Sequence, residues 1–248
     1  PATAGALWSA QTETGNYGIV SRASPTDSFT YIGNTGSAAT LGTSYGSSGS
    51  YLPLELQTSD KKRQNIASNG DISFYEDTGT TAKFFWDASA ESLGIGTSSP
   101  DAPLEIEGSG GGVNLSINNT GTSGRQYILQ STSSAASIGG GKFAIYDVDA
   151  SAHRLVLDSL GNVMVGTTDI NPGFNDTNTG SAIRSAGSIF TSVSGSTAGY
   201  FNRNTNDGEL ISLRKDGATV GSISVTGSAT AYNTSSDYRL KTDAQPMT

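Results

Sequence analysis

HRLVLDSLGNVMVGTTDINP, residues 153–172, decides how the chain is read. HRLVLD (153–158) and NVMVGT (162–167) are short runs rich in β-branched and aliphatic residues, the pattern of strands. SLGN (159–162) between them carries a glycine, which takes positive φ without a Cβ clash and so suits a tight turn. The polar, proline-ended TTDINP then leaves the second strand. The unit is strand, glycine turn, strand, polar or proline loop.

The same unit recurs along the chain. Tyr75 and Asp87, like Tyr146 and Asp158, are twelve positions apart, and Lys83-Phe84-Phe85-Trp86 aligns with Arg154-Leu155-Val156-Leu157. Both continue into a glycine-flanked aliphatic strand, GIGTSSP (94–100) and MVGTTDINP (164–172), after a one-residue slip. IASNGDISF (66–74) echoes LDSLGNVMV (157–165), and ISLRKDGATVGSIS (211–224) is a weaker copy. Internal similarity of this kind marks a chain built from repeated supersecondary units.

Further strands are predicted at YLPLELQ (51–57), DISFYE (71–76), AKFFWD (82–87), VNLSIN (113–118), KFAIYD (142–147) and ELISLR (209–214). Turn signals separate them, with SNGD (68–71) and KDGA (215–218) the clearest. No sustained helical periodicity with caps is present, so the fold class is all-β. Glycine makes up 32 of 248 residues and charged residues 15%, against about 25% in an average domain. Serine, threonine and asparagine supply the missing polarity. The expectation is an ordered, thin structure with several small cores and uncharged polar faces.

Composition also excludes functions. A net charge of −8 argues against nucleic acid as a partner, and the one basic cluster, Lys61-Lys62-Arg63, reads as a solvated turn. No stretch approaches 18 apolar residues, so no helical membrane span or membrane insertion is expected. The absence of cysteine removes disulfides, thiolate catalysis and Cys-ligated metals. No cofactor is implied. The chain starts at Pro1 without methionine, which reads as a fragment or a processed product.

An isolated two-stranded hairpin is marginal in water, so each unit must pack on neighbours or on other chains. Few lysines guard the strands, and intertwining with identical subunits would remove the exposed edges. The expected architecture is an elongated, intertwined homo-oligomer. Its segments are an N-terminal β-rich part (1–50), a first module (51–108), a second (109–180), a third, divergent module (181–233) and a C-terminal junction (234–248).

LGIGTSSPDAPLEI (93–106) and LDSLGNVMVGTTDINP (157–172) resemble the repeated GIGT modules of bacteriophage tail-fibre proteins. The closing SSDYRLK (235–241) resembles the opening of the endosialidase-type intramolecular chaperone that ends many such fibres. Ser236, Asp237, Arg239 and Lys241 match its Ser-Asp-x-Arg-x-Lys pattern, and Pro246 follows. The resemblance implies a homotrimer carried on the virion among other tail proteins, which attaches to a bacterial surface glycan or protein receptor. It also implies a self-cleavage junction between Ser236 and Asp237, with a Ser236–Lys241 pair as the proposed chemistry and Asp237 orienting or polarising. Attack by Ser236 Oγ on its own carbonyl would close a four-membered ring, so a water, another side chain or a neighbouring subunit stays open as nucleophile. Only twelve residues follow Ser236, too few for a chaperone core, so the implied chemistry is inactive in this chain. The implied role is structural and binding rather than enzymatic. Two other readings are a tailspike depolymerase acting on surface polysaccharide and a secreted bacterial adhesin or prophage remnant.

Isolated residues add little chemistry. His153, the single histidine, is expected to face solvent at the start of a strand. Glu76, Asp77, Asp87 and Glu91 fall at turns and strand ends rather than as a flanking glycosidase pair. Asp147 and Asp149 have Asp-x-Asp spacing but lack the glycine turn and distal glutamate of a calcium loop, so turn capping is expected. GGGKF (139–143) lacks the Ser/Thr and the helix of a phosphate loop. In FFW (84–86), Phe85 should face one way, with Phe84 and Trp86 facing an interface between chains.

Overall fold

The computed structural model describes residues 17–22, 27–34 and 37–234. Every regular element among them is a strand, so the chain is all-β. Two compact units divide it, Pro1–Ser151 and Ala152–Thr248.

In the first unit, β1 (Tyr17–Arg22), β2 (Ser28–Asn34) and β3 (Ala39–Tyr45) form an antiparallel sheet. A six-stranded sheet follows in strict chain order: β4 (Leu54–Thr58), β5 (Lys61–Ile66), β6 (Ile72–Tyr75), β7 (Ala82–Asp87), β8 (Ser92–Ile95) and β9 (Leu104–Ile106). Its pairs are antiparallel except the last, β8 with β9, which is parallel. The crossing between them is only residues 96–103, short for a parallel connection, and contains Pro100 and Pro103. β10 (Gly112–Asn118), β11 (Gln126–Thr132) and β12 (Phe143–Asp147) make an antiparallel meander.

In the second unit, β13 (Ala152–Leu157), β14 (Val163–Val165), β15 (Gly180–Ile183) and β16 (Ile189–Ser192) pair antiparallel in sequence. A second meander follows, with β17 (Gly208–Lys215), β18 (Ala218–Val225) and β19 (Thr230–Thr234).

Turn chemistry sets this order. One five-residue turn recurs three times, at 67–71, 158–162 and 184–188. Gly70 N donates to Ala67 O, Gly161 N to Asp158 O, and Gly187 N to Arg184 O. The three glycines have φ of 97°, 84° and 88°, a conformation that costs a Cβ-bearing residue about 1 kcal/mol or more. The last residue of the first two turns also ties the next hairpin in place. Asp71 Oδ1 accepts from Ala88 N at 3.0 Å, and Asn162 Oδ1 accepts from Ser185 N at 3.0 Å. Two-residue turns at Ser59-Asp60 and Asp216-Gly217 have positive φ at both positions, matching the right-handed twist of the strands they join.

The internal repeat survives in three dimensions. Phe84 pairs with Ile95 as Leu155 pairs with Val165, and Trp86 with Leu93 as Leu157 with Val163. Gly96 N donates to Lys83 O as Gly166 N donates to Arg154 O. The one-residue slip lies in the turns, 88–91 against 158–162.

Three expectations are corrected. Lys61-Lys62-Arg63 lies in β5, because the turn is Ser59-Asp60. Lys62 pairs with Glu55 and sits over the Tyr75 ring, while the Arg63 guanidinium donates to Asp77 O at 2.8 Å. YLPLELQ becomes a strand only at Leu54, since Pro53 has no N–H and Leu52 O is taken by Thr43 Oγ1. His153 is half-buried on the face of β13 that also carries Leu155 and Leu157, and burial pushes its imidazole pKa down.

Candidate functional site

The six-stranded sheet is apolar on the face its own chain leaves open. Cross-strand partners share a face, so the register of β4–β9 lines up whole rows. One row is Leu54, Ile66, Ile72, Trp86, Leu93 and Leu104. The next, two residues along, is Leu56, Gln64, Phe74, Phe84, Ile95 and Ile106. Eleven of these twelve positions hold a large apolar side chain. None is fully buried, and Leu104 is 57% exposed, Leu56 48% and Phe74 43%. Phe74 and Phe84 meet edge to face at 5.1 Å, which fixes the middle of the surface.

The opposite face of that sheet is polar and more closed. Its central row is Glu55, Asn65, Ser73, Phe85, Gly94 and Glu105. Ser73, Ser92 and Gly94 are buried. The chain leaving β8 lies over Gly94, where a Cβ would stand 2.4 Å from Thr97 O. The fully buried residues of this sheet are therefore small ones on its polar face, and none of the large apolar side chains is fully buried within the single chain.

The second unit has one closed and one open face. Val156, Met164 and Ala182 form a fully buried row that continues to Phe190. The segment 166–179 covers it: Phe174 packs on Phe190 at 6.3 Å, and Pro172 is buried. That segment is internally braced, because the Asn178 amide donates to both Asp169 and Asp176. On the other face Leu157, Val163, Ile183 and Ile189 form a second apolar row, with Ile183 and Ile189 exposed. In the meander β17–β19, Ile211, Ile223 and Tyr232 line up likewise, with Tyr232 exposed.

Magnitudes give these faces weight. Completing the burial of a half-exposed Leu, Ile or Phe is worth about 1 kcal/mol, so one chain's β4–β9 face represents on the order of 10 kcal/mol. That matches the whole folding stability of an ordinary domain.

The titratable residues singled out from sequence serve structure where they are described. Glu76 accepts from Thr78 N and Oγ1, Thr80 N and Oγ1, and Thr81 N, and these bonds hold its carboxyl far below the usual range. Asp87 accepts from Ala90 N, Ser89 Oγ and Ser89 N and is also lowered. A glycosidase general acid needs a raised pKa, the opposite shift. Asp77 offers its backbone carbonyl to Arg63, and Glu91 is an exposed turn residue with φ 54°.

Asp147 does more than cap a turn. It is 1% exposed and takes three hydrogen bonds from the Arg125 guanidinium, two of them at 2.9 Å, besides Ala150 N. Asp149 accepts from Gln126 N on the same side of the meander. Among the described residues no group of three or more His, Asp or Glu stands in metal-ligating arrangement. In FFW the faces separate as expected: Phe85 opposes Ser73 and Gly94, whereas Phe84 and Trp86 belong to the open apolar rows. The junction residues Ser236, Asp237 and Lys241 lie outside the described residues.

Sequence reading found Phe84 and Trp86 but missed the extent of the surface. The signal was an apolar-x-apolar doublet in strand after strand: Leu54/Leu56, Ile72/Phe74, Leu93/Ile95 and Leu104/Ile106. The sequence matches no protein-family model and no curated protein.

Proposed function

We propose that this chain is a segment of a trimeric, virion-borne tail fibre that attaches to the bacterial surface. One observation carries the reading: the β4–β9 sheet gathers eleven large apolar side chains on one face, with Leu56, Ile66, Phe74 and Leu104 exposed and none of the eleven fully buried, while its own chain crosses the opposite, polar face at Gly94. A surface of that size and chemistry is stable in water only when covered. Copies of the same chain cover it without leaving a sheet edge free, which is how a fibre avoids aggregation. The all-β fold and the repeated GIGT-type hairpins support the same reading. Uncharged Ser/Thr/Asn-rich loops suit contact with a surface glycan, and three copies raise weak contacts by avidity. In this reading the fibre ends at Ser236, and Asp237 begins the assembly domain.

Light scattering with mass determination tests it. The expected mass is three times the 25.4 kDa chain. Phe74→Lys, which puts a charge in the middle of the apolar rows, should lower that mass or abolish soluble expression. A monodisperse wild-type monomer refutes the reading. The junction has its own test: a longer chain carrying a complete chaperone should be cut after Ser236, and its Ser236→Ala variant should stay full length.

A further inference from the structure

YGSSGSY, residues 45–51, is a loop held against its own sheet. Tyr45 closes β3, and the chain then folds back along the sheet instead of leaving it. Gly46 N donates to Asp27 O at 2.8 Å and Ser47 N to Asp27 Oδ2 at 2.7 Å. Ser28, 1% exposed, exchanges two hydrogen bonds with Ser50: Oγ donates to Ser50 O at 2.8 Å and accepts from Ser50 N at 3.1 Å. Thr43 Oγ1 donates to Leu52 O just beyond.

A side chain would meet close neighbours at two points of the loop. A Cβ on Gly46 would stand 1.8 Å from Asp27 Oδ2, and one on Gly49 would stand 2.7 Å from Tyr45 Cβ and 2.8 Å from Ser28 N. Gly49 is required by this packing, and a side chain at Gly46 would push the Asp27 carboxylate off Ser47 N. Held in this way, the loop presents Tyr45 and Tyr51 edge to face, centroids 4.7 Å apart at 81°. Tyr51, outside every strand, is 60% exposed.

We infer that this loop binds neutral carbohydrate, with the Tyr51 ring as the stacking face. Three features point there. No residue from 45 to 51 is charged, so a charged ligand finds no partner in the loop. Tyrosine, serine and glycine together supply rigid amphipathic area with adaptable hydroxyl hydrogen bonding, the set that recognition loops use. The ordering entropy has already been lost on folding, so a weak ligand does not have to supply it. The exposed Tyr51 ring and the neighbouring loop hydroxyls offer an area that suits one or two sugar rings. The inference deepens the attachment reading above and rests on it for the choice of a glycan.

The test titrates the full chain with dextran, a galactan and a mannan by calorimetry, with the mass followed by light scattering. At least one probe should bind. Tyr51→Ala should weaken that binding about tenfold or more at unchanged mass, and Tyr51→Phe should stay within about threefold. The inference is overturned if no probe binds, if Tyr51→Ala binds like the wild type, or if Tyr51→Ala changes the mass and so assigns the loop to contact between copies. A monomeric wild-type chain that loses glycan binding in Tyr51→Ala refutes the fibre reading and leaves this loop standing.

Discussion

Gly96 and Gly166 occupy the same place in the two GIGT-type hairpins, yet alanine should cost very different amounts there. Both have positive φ, 88° and 68°, and both donate to the strand before the turn, at Lys83 O and Arg154 O. At Gly166 nothing lies within 4 Å of a built Cβ, so the cost is the left-handed conformation alone, about 1 kcal/mol. At Gly96 the Cβ would sit 2.1 Å from Glu107 O. The carbonyl must retreat by more than 1 Å, and Glu107 N is the donor to Ile95 O at 2.9 Å. Losing that bond adds about 1 kcal/mol. Loosening Leu104 and Ile106, the β9 members of the apolar rows, adds about 1–2 kcal/mol more.

The sum is about 3–4 kcal/mol for Gly96→Ala. With a urea slope of about 2 kcal/mol per molar, the midpoints should fall by about 0.5 M for Gly166→Ala and 1.5–2 M for Gly96→Ala. Far-UV circular dichroism follows both units, and Trp86 fluorescence in a Trp8→Phe background follows the first. Equal shifts, or a larger one at Gly166, would refute the parallel β8–β9 register from which the difference is derived.

Other perturbations probe other joints. Arg125→Met strands the buried Asp147 carboxylate and should cost about 3 kcal/mol in urea unfolding, with part recovered in the Arg125→Met/Asp147→Asn double variant. Asn162→Ala removes the acceptor of Ser185 N and the donor to Asp158 and should cost about 1–2 kcal/mol by the same assay. Glu76 has a folded-state pKa depressed below its unfolded value, so its contribution is complete above about pH 4.5 and is lost as pH falls toward the folded value. Thermal melts of the wild type and Glu76→Gln should therefore differ at pH 7 and converge on acidification. A constant difference across pH would remove the carboxylate from that role.

Local sequence carried much of the fold. Asn69-Gly70, Leu160-Gly161 and Asp216-Gly217 each turn the chain by local φ preference, so hairpins could be placed without knowing what they pack against. The alignment of Lys83–Trp86 with Arg154–Leu157 held because matching side-chain alternation fixes matching registers. What stayed hidden depended on distant partners. Lys61-Lys62-Arg63 looked like a turn because its charges are local, whereas the groups that use those charges lie elsewhere: Glu55 and Tyr75 on other strands and the Asp77 carbonyl in the turn after β6. Asp147 looked like a turn cap because Arg125 lies 22 residues away.

The sequence by itself determined the element type, the turns and the repeat, since these follow from period-two alternation and from glycine at positive φ. Only the tertiary structure decided which face each strand turns outward. Runs such as Leu155-Val156-Leu157 and Val163-Met164-Val165 are apolar on both faces, and the string does not say which one the chain's own loop will close; the loop closes on Val156, Met164 and Ala182, while Leu56, Phe74 and Leu104 stay open. The difference is made by segments such as 166–179, whose path over the sheet is fixed by contacts far apart in sequence and not by the residues of the strand beneath.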